Sequence, residues 1–280
     1  MPKSSPVTWT REHFLIALNL YRKLPFGKLD KGNPLIIQVA ERMGRSPGSL
    51  AMKLVNFASL DPVITGSGRK GLSGATKQDR VMWEEFNSGL SDLGPESEQL
   101  LHDLFTSDES VELDFLSSTK VQIERPRSFD GPTETSSTVK VRRGQQLFRQ
   151  SVLSSYSVRC CISGIDHPRL LVASHIRPWH AFPADRLDPR NGLCLSSLHD
   201  AAFDWGLFTL DEDFKVVLGP ELGKRLDREM IRQNFEPFAG QPIRLPSKLA
   251  EPSQEFLEYH RSEVFGRRSE VALKPRKGLN

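Results

Sequence analysis

"LLVASHIRPWHAFPADRLDPRNGLCLSSLHDAAFDWG", residues 170–206, gathers three of the chain's seven histidines, an Asn-Gly pair and three arginines into one stretch. Its apolar opening, "LLVASHI", reads as a buried strand that delivers His175 at its end. "RPWHAFPADRLDPR" is dense in proline and charge and reads as a loop. Asn191-Gly192 permits a turn, Leu193 and Leu195 suit a short strand, and "SLHDAAFD" suits a helix that stops near Gly206. The order is strand, loop, strand, helix. His175 and His199 then sit on facing elements, with Asn191 at the exit of the loop.

Working outward, 280 residues with 38% hydrophobic content allow a real core and favour two domains. No apolar run reaches the length of a membrane span, and the start "MPKSSPVTWT" lacks the basic-then-apolar layout of a secretory leader. The expectation is a cytoplasmic protein with no membrane partner. Three cysteines, Cys160, Cys161 and Cys194, are too few and too odd in number for a disulfide framework and read as buried thiols. A net charge of +3 says little about nucleic acid, so local charge must carry that argument.

Residues 8 to about 100 read as mostly helical. In "TWTREHFLIALNLYRKL", Phe14, Ala17, Leu18 and Tyr21 share one face. "NPLIIQVAERMG" has Asn33 as cap, Pro34 at the first helical position and Gly44 as the stop. "RSPGSLAMKLVNF" follows, capped by Ser46, with Leu50, Leu54 and Phe57 as its apolar stripe. After a glycine-rich loop carrying Arg69 and Lys70, "QDRVMWEEFNSGL" reads as another helix. Residues 105–138 mix acids, Ser, Thr and Pro and read as a linker with room for a short strand. "KVRRGQQLFRQSVLSSY" reads as a helix, and "VRCCISG" as a strand and turn.

Ala40, Gly44 and Leu50 have helix-turn-helix spacing, with a small residue at the crossing and a glycine for the tight turn. On that reading Arg45, Lys53 and Asn56 project outward toward phosphates and base edges. A plain helical hairpin fits the same residues.

"SHIRPW", "NGLCL" and "LHDAAFDWG" together resemble the HNH nucleases with a ββα-metal core, and most closely their bacterial restriction-endonuclease-like branch. The flanking "GQQLFRQSVLSSYSVRCCISG", the later "FLEYHRSEVFG" and "LVNFASLDP" are similar to that branch as well. The resemblance implies an α+β protein in three parts: a mostly helical, DNA-binding domain (1–104) with the helix-turn-helix-like pair, a linker (105–138), and an HNH nuclease domain with a C-terminal extension (139–280). It implies a metal-dependent DNA endonuclease of restriction or defence type acting on double-stranded DNA, and it is compatible with a homodimer.

The resemblance makes His175 the general base, Asn191 the residue that ties the loop and orients that histidine, and His199 a ligand of one divalent ion, magnesium or manganese. Many HNH proteins place a second metal ligand directly before the base, where this chain has Ser174, a poor ligand. Asp200 or Asp204 is then the candidate for the missing oxygen. Asp204 lies five positions from His199, about 140° round an ideal helix. Arg177, Arg186 and Arg190 are candidate phosphate contacts. Cys194 has no CxxC partner, which argues against a four-ligand structural zinc. The other readings are a DNA-binding regulator on a degenerate HNH fold and a protein-interaction module.

Overall fold

The computed structural model describes residues 8–66, 74–116, 119–124, 136–246 and 250–266. It is an α+β protein whose chain divides into two compact units, the first ending at Ser155 and the second beginning at Tyr156.

The first unit contains α1 (Arg11–Lys23), α2 (Pro34–Arg42), α3 (Pro47–Ala58), the short α4 (Pro62–Gly66), α5 (Lys77–Ser88), α6 (Leu90–Asp103), the strands β1 (Glu112–Asp114) and β2 (Gln122–Glu124), and α7 (Ser136–Ser155). Helix α1 begins with a reciprocal cap: the Thr10 hydroxyl accepts from His13 N at 3.2 Å, and Thr10 N reaches His13 Nδ1 at 3.3 Å. It is buried almost all round, from Phe14 to Leu18 and again at Leu20 and Tyr21. That is why its apolar residues exceed one stripe: α3, α5, α6 and α7 all pack against it. The cluster also takes in Leu113 and Phe115. Those two residues alternate with half-buried neighbours in the β1 segment, as a strand lying on a core requires.

Two expectations change here. Within the 105–138 segment, residues 112–114 and 122–124 form the β1–β2 pair, with Leu113 opposite Ile123, and Leu113 and Phe115 join the core. Helix α7 belongs to the first unit rather than opening the second at 139. Its Arg143, 1% exposed, donates to Glu109 at 2.8 Å, and Gln146 donates to the Leu113 carbonyl at 2.8 Å. Polar groups buried at these contacts fix α7 where it lies, because leaving them unpaired is costly.

Helices α2 and α3 pack on each other across the turn. Ala40 and Leu50 are fully buried, and Gly44 takes φ +66° in the turn, where Arg45 N bonds the Ala40 carbonyl at 2.8 Å. The outward face does not follow. Lys53 and Asn56 are 8% and 7% exposed; Lys53 pairs with Asp79, and Asn56 donates to Asp79 at 3.1 Å. Asp79 also closes the Thr76 capping box of α5, so α5 covers the face that a groove-reading helix must leave open. Burial would raise the Asp79 carboxyl, but Lys53 and the Thr76 amide hold it below its ordinary value. Arg45 lies over Trp9, 4.1 Å from the ring, and donates to the Thr8 carbonyl at 2.7 Å. Arg69 and Lys70 lie outside the described residues.

The second unit opens with a turn knuckle where a strand was expected over 158–164. Cys160 N bonds Ile165 O at 2.8 Å, Gly164 N returns to Cys160 O at 3.0 Å, and Cys161 N bonds Cys194 O at 2.8 Å. Positive φ values at Ser157, Val158 and Gly164 curl the chain away from extended pairing. Then come β3 (Leu171–His175) and β4 (Gly192–Ser196), antiparallel, with His175 opposite Gly192 and Leu171 opposite Ser196. Helix α8 (Ser197–Asp204) follows without a gap, capped by the Ser196 hydroxyl. The unit continues through the paired strands β5 (Phe208–Leu210) and β6 (Val216–Leu218), the short α9 (Pro220–Gly223), α10 (Glu229–Phe235) and α11 (Gln254–Tyr259). Gly206, at φ +60°, lets α8 turn into β5; a Cβ there would lie 2.7 Å from the Val264 carbonyl.

Candidate active site

Strand β3, the start of the loop after it, helix α8 and the segment at His260 and Val264 line a cleft of about 460 Å³, with Ser174, His175, Trp179, Asp200 and Asp204 among its walls. His175 sits at the last position of β3, where the strand hands over to the loop. Its Nε2 donates to the Arg186 carbonyl at 3.0 Å, so in the neutral ring the basic lone pair is on Nδ1. Burial lowers its pKa below the ordinary histidine value, and the bond to Arg186 offsets part of that. The ring is therefore neutral at pH 7, the state a base requires. Trp179 meets it edge to face at 5.4 Å.

Asn191 is fully buried, and its carboxamide holds the loop by both ends. Its Oδ1 accepts from Arg177 N at 2.7 Å, and its Nδ2 donates to the carbonyls of Arg177 and Asp185, each at 3.2 Å. Since Arg186 follows Asp185, the same side chain fixes the carbonyl on which His175 rests.

Asp200 and Asp204 are one helical turn apart and face the cleft together. Burial raises the Asp200 carboxyl, with the neighbouring Ser174 hydroxyl acting the other way. Burial and the charge of Asp200 push Asp204 up to about 6. The Ser174 hydroxyl is buried beside Asp200. Two carboxylates on one cleft wall with the Ser174 hydroxyl beside them form a hard oxygen set that suits a small divalent ion.

His199 does not join them. It is 1% exposed, its Nδ1 lies 2.9 Å from the Ser196 hydroxyl, and its Nε2 donates to the Asn234 carbonyl at 3.0 Å. The rings of Phe208, Phe235 and Phe238 surround it edge-on. With both nitrogens engaged inside an aromatic box, His199 fastens α8 to α10 and holds no place in the cleft. Of the candidate ligands His199, Asp200 and Asp204, the cleft thus brings together the two aspartates and leaves out His199. The signal was readable, since residues at i and i+4 share a face whereas i and i+5 do not.

The arginines of the loop are also engaged. Arg177 pairs with Asp185 at 3.1 Å and Glu255 at 2.8 Å and lies over Phe182 and Phe256. Arg186 donates to the Trp179 carbonyl at 2.7 Å. Arg190 pairs with Asp188 at 2.6 Å but is half-exposed. These contacts shape the loop. His260 lines the cleft too, but its nitrogens meet Thr209 and the Phe203 carbonyl, and its ring stacks on Phe203 at 3.6 Å. Burial drops its pKa to about 4, so it remains a neutral packing element.

Among the described residues no helix is long and apolar enough to cross a membrane. No curated protein matches the chain. Residues 160–211, which contain the cysteine knuckle, β3, β4, α8 and β5, match the family model described as HNH endonuclease.

Proposed function

We propose that the protein is a metal-dependent endonuclease that hydrolyses phosphodiester bonds of double-stranded DNA, of the restriction-like branch and with a role in defence. The observation that carries this reading is the meeting of one neutral histidine and two convergent carboxylates in a single cleft of a strand–strand–helix unit. HNH nucleases generally use a divalent metal, and the oxygen donors here fit magnesium or manganese. Asp200 and Asp204 would hold it, with Ser174 beside them. Bound there, a divalent ion supplies positive charge opposite the phosphate and the departing 3′ oxygen.

The chain's own groups do the rest. His175 takes the proton of the attacking water on Nδ1, while its Nε2–H stays on the Arg186 carbonyl. Asn191 acts at one remove, by keeping that carbonyl and the loop in place. A regulator on a degenerate fold is disfavoured, because burial and the charge of Asp200 raise the proton affinity of Asp204, which costs stability unless something at the site uses that carboxylate. The test is cleavage of supercoiled plasmid with magnesium or manganese, with and without EDTA. Undiminished cutting in EDTA would overturn the reading.

A further inference from the structure

We propose that His102, Asp103 and Glu109, in the first unit, form a second divalent-cation site of the transition-metal class. It owes nothing to the nuclease reading. The three side chains bring one ligand atom each to within 4.8 Å of one another. His102, in the last turn of α6, is fully buried, and its Nε2 donates to the Val111 carbonyl at 3.2 Å. The carbonyl can only accept, so the lone pair of the neutral ring lies on Nδ1. That atom is buried and has no hydrogen-bond partner among the described residues. What it faces is another acceptor, Asp103 Oδ1, at 3.7 Å. Two acceptors aimed at each other across a gap call for a positive species between them. An imidazole with one nitrogen anchored on a backbone carbonyl and the other pointed at carboxylates is the arrangement by which proteins orient metal-binding histidines.

The surroundings support the same assignment. Glu109 is held from behind by the buried Arg143, 2.8 Å from Oε2, which leaves Oε1 turned to the cluster. The Gln99 amide bridges that Oε1 at 2.8 Å and Asp103 Oδ1 at 2.9 Å, so it draws the two carboxylates together. Arg143 offsets one of the two negative charges. The site therefore relies on its nitrogen, which favours zinc or cobalt over magnesium. Asp103 and Glu109 are 55% and 47% exposed at their side chains, which gives an ion a way in. Bound, it would staple the end of α6 to the segment that carries Glu109.

The test uses the full chain with Asp200→Asn and Asp204→Asn, which disables the cleft site without touching this one. Zinc uptake is counted by equilibrium dialysis, and cobalt is followed by its visible absorption. The proposal expects this background to take up one equivalent of zinc, and Asp103→Asn added to it to weaken binding by about tenfold or more. Asp103 is solvent-facing, so this variant should keep its thermal midpoint in EDTA. His102→Gln should abolish the cobalt band. No uptake by the background, or an affinity unchanged by Asp103→Asn, overturns the proposal and leaves a proton as the species between His102 and Asp103.

Discussion

The α2–α3 pair and the β3–β4–α8 unit both present polar side chains on a helix beside a tight turn, yet they use them in opposite ways. On α3, Lys53 and Asn56 are spent on Asp79 under α5. On α8, Asp200 and Asp204 look into an open cleft, while the residue that would have been chosen by type, His199, is sealed on the other side. A polar position on a helix becomes a contact for another molecule only where no neighbouring element closes over it. Spacing within one helix does not report what packs on that helix.

The sharpest way to break this contrast is at the cleft. His175→Ala should lower single-turnover cleavage by about 10²–10⁴-fold while leaving the thermal midpoint and DNA retention near the parent's. Near-parental cutting would remove the cleft from the comparison altogether. Asp200→Asn or Asp204→Asn should raise the metal concentration needed for half-maximal cleavage by about 10–100-fold.

Lys53→Ala tests the other half. It strands Asp79 in a buried site, and breaking such a pair costs about 3–5 kcal/mol, to be read in urea unfolding. Should it leave stability intact and instead flatten the salt dependence of DNA binding by about one counterion, α3 is a recognition helix after all. His199→Ala should cost about 2–4 kcal/mol by emptying the aromatic box and orphaning its partners, with the metal requirement of the surviving folded fraction unchanged. A stable variant that has lost its metal requirement or its metal would restore His199 to the site.

The smallest effect concerns pH in EDTA. Asp204 is raised in the folded protein, so the native state holds its proton more tightly than the unfolded chain does. Stability from this group is full below the unfolded value and declines as pH climbs toward about 6. Asp204→Asn should therefore stabilise the metal-free protein at pH 7.5 by about 1 kcal/mol, the partial exposure of the carboxylate keeping the gain small, and should do nothing at pH 3.5. An equal thermal shift at both pH values would show that the carboxylate is not strained.

What was legible in the sequence is what depends on neighbours along the chain. The strand ending at His175, the loop, the strand after Asn191 and the helix stopping at Gly206 all follow from local pattern, as do the caps at Asn33 and Ser46. What was not legible depends on distant packing. Nothing near Lys53 announces that Asp79 will close over it. Nothing in "SLHDAAFD" shows that Asn234 and three phenylalanines will claim the histidine. The acids of 105–138 suggested a solvated tether because their low periodicity hid the buried alternation at Val111, Leu113 and Phe115.

The carboxamide of Asn191 has a consequence for how such a protein can change. It clamps the loop at Arg177 and at Asp185, and the carbonyl beneath His175 comes one residue later. The crown between those points, with His180, Ala181, Pro183 and Ala184 all exposed, hangs outside the clamp. Residues can be exchanged or inserted there without shifting the base, so the part of the loop free to meet a target can diverge while the chemistry stays put. One amide thereby separates what is hydrolysed from where.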